Sequence, residues 1–81
     1  MKKIIKGKLM RIIQESCVIK PKFFCGLSKI KNLAIDSLGF VEMMVKIEDE
    51  ILTELPDWMF VKENYSRVND LINAIIREAR I

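Results

Sequence analysis

The chain has 81 residues, 51% of them apolar, with 14 Lys and Arg against 11 Asp and Glu, which describes one small packed domain and argues against disorder. No apolar run approaches the roughly eighteen residues that span a bilayer, and no signal-peptide segment opens the chain, so a cytoplasmic protein without a membrane span is expected. With no histidine and no cysteine cluster at metal spacing, neither a structural zinc site nor a nucleophile–base pair is visible, and no enzyme is expected.

The net charge of +3 conceals a division. Residues 1–31 hold nine Lys or Arg against the single Glu15, whereas residues 36–57 hold seven Asp or Glu against Lys46. Residues 3–16 read as the first helix, with Ile5, Leu9, Ile12, Ile13 and Ser16 on one face and Lys3, Lys8 and Arg11 off it. Gly7 weakens that helix by about 1 kcal/mol relative to alanine, which the periodicity outweighs. Its plain reading is a core helix with a solvated basic back. The alternative is an interaction module whose basic first helix binds an anionic partner, a membrane surface for example. A nucleic-acid partner is not expected, because no interleaved aromatic pattern or binding motif accompanies the charge.

Residues 17–35 form a long connection around Pro21, Gly26 and Ser28, and Pro21 disfavours helix at Lys20. Val18, Ile19, Phe23, Phe24, Leu27, Ile30 and Leu33 are available to anchor it on the core, so an ordered loop is expected. Cys17 and Cys25 read as two reduced, partly buried thiols.

Asp36 before an apolar-periodic run is an N-cap signal, and a helix is expected to open at Asp36 or Ser37 and run to Ile51. At 100° per residue, Phe40, Met43, Met44, Ile47 and Ile51 fall within an arc of roughly 100°, a core-facing stripe. Leu38, Val41 and Val45 point almost the opposite way, with Glu42, Glu48 and Asp49 around them. An apolar patch on the solvent side stabilises nothing until water is excluded from it, so these three await a partner.

At these residues the chain resembles the acyl and peptidyl carrier proteins, which share D-S-L at a helix start, then V-E and a run of acidic residues. Here the pattern stands as Asp36-Ser37-Leu38, Val41-Glu42 and Glu48-Asp49-Glu50-Ile51. The resemblance implies a free-standing carrier in which Ser37 bears a 4′-phosphopantetheine arm, taken from coenzyme A by a magnesium-dependent phosphopantetheinyl transferase that Asp36 helps to engage. The arm's thiol would hold an acyl or aminoacyl group as a thioester. Implied partners are that transferase and the loading, condensing or tailoring enzymes of fatty-acid, polyketide, nonribosomal-peptide or related biosynthesis. Leu38, Val41 and Val45 would give the apolar part of a transient interface; Glu42, Glu48 and Asp49 would meet basic residues on the visitor. A monomer suits such a shuttle. Two features depart from the family. The basic loop, with Lys20, Lys22, Lys29 and Lys31, replaces a usually acidic one. Gly39 stands where many fatty-acid carriers have an acid and leans the cargo towards aminoacyl or specialised-metabolite groups.

Pro56 marks a helix boundary, and residues 57–64 read as a short helix or irregular turn. Trp58, Met59, Phe60 and Val61 are consecutive and cannot share one buried face, so Trp58 or Met59 is expected at the surface and Phe60 and Val61 over the core. Residues 66–80 read as the last helix, Ser66 at its N-cap and Val68, Leu71, Ile72, Ile75, Ile76 and Ala79 as its stripe. The expected fold is an all-α bundle: three main helices, near 3–16, 37–51 and 66–80, and one short helix. A domain that keeps this fold without ever being modified reads the same way.

Overall fold

Helix α1 spans Lys2–Glu15, α2 Ser37–Ile51 and α3 Val68–Ala79, in a computed structural model that describes residues 2–80. Among these residues no strand forms, and the one extended pairing is an isolated antiparallel bridge between Lys29 and Arg67. This is the expected helical bundle. The short element expected near 57–63 takes the form of two 3-10 turns, Asp57–Phe60 and Lys62–Asn64, and a further turn, Ile30–Asn32, interrupts the first loop.

Charge runs against the dipole of α1, with Lys3 at its positive end and Glu15 at its negative end. Local preference therefore does not hold this helix. Burial does: Leu9 and Ile13 are fully buried and Ile5 and Ile12 pack beside them. The beginning of α1 meets the end of α2, where Lys8 and Glu50 pair at 3.4 Å. The Phe40 and Tyr65 rings, 5.9 Å apart, bring the starts of α2 and α3 to one end of the bundle. Phe40, Met43, Met44 and Ile47 face inward from α2 and meet Leu71, Ile72 and Ile75 of α3 in one core. Ile51 lies at its edge.

Helix α3 starts later than the chemistry of Ser66 suggests. Its N-cap is Arg67, whose N–H donates to the Asp70 carboxylate at 3.0 Å. The next two amides, Val68 and Asn69, donate to the loop carbonyls of Ser28 and Gly26 at 2.9 and 2.8 Å. The Ser66 carbonyl accepts from Ile30 N–H at 2.9 Å. The first loop thus supplies the acceptors a capping side chain would otherwise provide. A Cβ on Gly26 would run into the Asn69 carboxamide, so this close approach suits glycine.

The loop is ordered, but not in the way its apolar content suggests. Cys17, Ile30 and Leu33 are buried and Phe24 packs against the core, whereas Val18, Ile19, Phe23 and Leu27 stand exposed. They lie beyond the reach of a core already closed by the three helices. Cys17 and Cys25 are both free; burial pushes the Cys17 thiol above its usual range, and Cys25 is exposed.

Tyr65 is buried, donates its hydroxyl to the Met59 carbonyl at 2.8 Å, and has its pKa pushed up to about 12 by burial. The unfolded chain ionises near pH 10 and the folded chain does not, so folding stability falls as pH rises from about 10 to 12. Urea midpoints measured across that window should drop for the wild type. The drop should be shallower by roughly 2 kcal/mol in Tyr65→Phe, which itself loses about 1 kcal/mol at neutral pH with the hydrogen bond. Equal slopes would show that Tyr65 does not titrate late.

Candidate functional site around Ser37

Asp36 is the N-cap of α2, and its Oδ1 accepts from Gly39 N–H at 2.6 Å. The first helical bond follows, Phe40 N–H to Asp36 O at 2.8 Å. The cap contributes about 1 kcal/mol to the helix. Ser37 is the first residue inside, exposed, and its hydroxyl makes no hydrogen bond among the described residues. Its amide and that of Leu38 precede the helical ladder at the positive end of the dipole, a setting that favours a bound phosphate group. Gly39 has a local reason as well, since a Cβ there would come within 2.9 Å of Asp36 Oδ1.

Leu38, Val41 and Val45 are 69%, 39% and 44% exposed. Structure therefore sets them outside the core, in one ridge along α2 beginning next to Ser37. Glu42 and Asp49 are exposed beside it. Glu48 is placed differently: half-buried, it accepts Leu55 N–H through Oε2 at 2.7 Å. The cause is the end of α2, where Leu52 takes a left-handed C-cap (φ 55°) and turns the chain back over the last helical turn. Glu48 is thus occupied in closing the helix, and Glu42 and Asp49 carry the acidic edge of the ridge.

Two further residues shape the site. Leu52 stands almost fully exposed at the left-handed end of α2. Lys62 has no sequence signal for its role. From the second 3-10 turn its Nζ donates to the Ile35 carbonyl at 2.7 Å and fastens the chain just before Asp36. Trp58 is half-exposed as expected, but Met59 is buried, and Val61, expected over the core, is exposed. The apolar face of α1 is packed against the core, and its basic back, with Lys3, Lys6, Lys8 and Arg11, is exposed.

Among the described residues no cluster of His, Cys, Asp or Glu could hold a metal ion, and no helix is long and apolar enough to cross a membrane. The site offers one accessible hydroxyl, a capped helix start and an apolar ridge with an acidic edge. No protein-family model matches this chain, and no solved structure matches it. A curated protein of Ureaplasma parvum serovar 3, described as "Acyl carrier protein homolog", is 36% identical over 70 residues, covering 86% of this chain and 87% of the relative.

Proposed function

The chain belongs to the acyl carrier protein family, and from that premise we propose that it carries an acyl or aminoacyl group on a 4′-phosphopantetheine arm attached to Ser37. The observation that carries this reading is the exposed, unpartnered hydroxyl at the first residue of α2, with an apolar ridge left outside beside it. The residues fit the group. The Ser37 oxygen would form the phosphodiester and give up its proton, coenzyme A losing its adenosine 3′,5′-bisphosphate portion. The helix start would hold the phosphodiester charge at its positive end. Asp36 keeps Oδ1 on the cap, and its exposed carboxylate would use Oδ2 to engage the transferase and its magnesium ion. The arm supplies a thiol on which the cargo is held as a thioester, so the chain itself performs no catalysis.

Leu38, Val41 and Val45 form the apolar strip that visiting enzymes cover, and Glu42 and Asp49 steer basic partners onto it, which raises encounter rates more than affinity. Incubation of the wild type with coenzyme A, magnesium and a transferase of broad specificity should add the mass of one phosphopantetheine. An unchanged mass would overturn the reading.

Val41→Asp should leave thermal stability within about 1 kcal/mol of wild type, since Val41 already meets water. It should lower the transferase's kcat/KM about tenfold by placing a charge in the docking strip. A large fall in melting temperature would make Val41 a core residue, and an unchanged rate would remove the ridge from the interface.

A further inference from the structure

The first loop presents a surface that the carrier role does not use. Between Glu15 and Asp36 there is no acidic residue, and Lys20, Lys22, Lys29 and Lys31 are all exposed. Among them stand Val18, Ile19, Phe23 and Leu27, with Phe23 90% exposed. The backbone beneath is held firmly. Val18 N–H donates to Ala34 O at 2.8 Å, Ile30 N–H to Ser66 O at 2.9 Å, and the Arg67 guanidinium to Leu27 O at 2.7 Å. Val18 and Leu27 therefore project from tethered backbone, and Ile19 and Phe23 stand exposed on the span between them.

We propose that this loop docks on the surface of an anionic lipid bilayer, Ile19, Phe23 and their apolar neighbours entering the headgroup layer while the lysines meet lipid phosphates. Two features choose the occupant. Four lysines on a segment with no carboxylate of its own, with Arg67 paired to Lys29 by a backbone bridge and Glu63 across a cleft from Lys31, leave the face positive and call for a negative surface. Apolar side chains 65–90% exposed and set among lysines suit a fluid apolar phase beneath a negative surface, whereas the ridge of α2 is edged by the exposed carboxylates of Glu42 and Asp49, which such a surface repels. The attachment is peripheral and reversible. It puts the Ser37 end of the bundle near the membrane, because Val18 is bonded three residues before Ser37, and it does not depend on Ser37 being modified.

Co-sedimentation of the full chain with vesicles of equal parts phosphatidylcholine and phosphatidylglycerol at low salt tests this, with pure phosphatidylcholine as the neutral control. The wild type should pellet with the anionic vesicles and stay in solution with the neutral ones. The double substitution Ile19→Ser, Phe23→Ser should weaken the partition about tenfold. Lys20→Gln with Lys22→Gln should weaken it by a similar factor and flatten its salt dependence. Both variants should melt with the wild type, because the altered side chains are exposed. A wild type that ignores anionic vesicles overturns the proposal, and so does binding that survives loss of Ile19 and Phe23. Phe23-dependent retention on immobilised polyglutamate without vesicle binding would assign the face to an acidic polypeptide, with the same result.

Discussion

Ser37→Ala should gain no mass when incubated with coenzyme A, magnesium and the transferase under conditions that convert the wild type fully. The same protein should fold as before, with a stability change within about 0.5 kcal/mol. Both halves follow from the start of α2. Asp36, not Ser37, caps the helix, so removing the Ser37 hydroxyl orphans no backbone amide. That hydroxyl also has no partner to lose among the described residues, and alanine is a good helix former at the first position. Intact-mass measurement beside a thermal melt separates the two. A mass gain that persists in Ser37→Ala would put the arm elsewhere and end the assignment. A variant that melts much earlier would show that the hydroxyl serves the fold.

One turn along, Phe40→Ala should cost about 3–5 kcal/mol. Phe40 is fully buried between α2 and the ring of Tyr65, and the bundle cannot close over the space a phenyl group leaves. Domains of this size are stable by about 4–12 kcal/mol, so the loss removes a large share of the total. A fall in melting temperature of roughly 15–30 °C is expected. Urea unfolding followed by circular dichroism will measure it, with Val41→Asp as the neighbour that should unfold almost as late as wild type. If Phe40→Ala lost less than about 1 kcal/mol, the inward stripe of α2 would be misplaced. The contrast reflects the faces of α2 on which the two neighbours lie, Phe40 inward and Val41 outward.

That face was legible in the sequence, because α2 is a regular helix bounded by a strong cap. Phe40, Met43, Met44 and Ile47 recur at helical spacing, and no tertiary contact is needed to say that they share a side. Leu38, Val41 and Val45 were readable for the same reason, as the residues this stripe leaves out. Glu48 was not. Its phase puts it beside the ridge, but the left-handed turn at Leu52 carries Leu55 back across the helix end, and a backbone amide takes the carboxylate. Loop residues were harder still. Val18, Ile19, Phe23 and Leu27 look like anchors by composition, and only the closed core shows that there is nothing left for them to fill.

By itself, then, the sequence determined the all-α class, the extent of α2, the residue at its cap and the serine that follows it. These rest on interactions within about four residues, where spacing and chemistry are written together. Tertiary structure alone decided that Arg67 and not Ser66 caps α3, that Lys62 grips the chain ahead of Asp36, and that Val18, Ile19, Phe23 and Leu27 of the basic loop stand in water. Each of these depends on groups far apart in the chain competing for one donor, one acceptor or one volume, and such competition has no period to read.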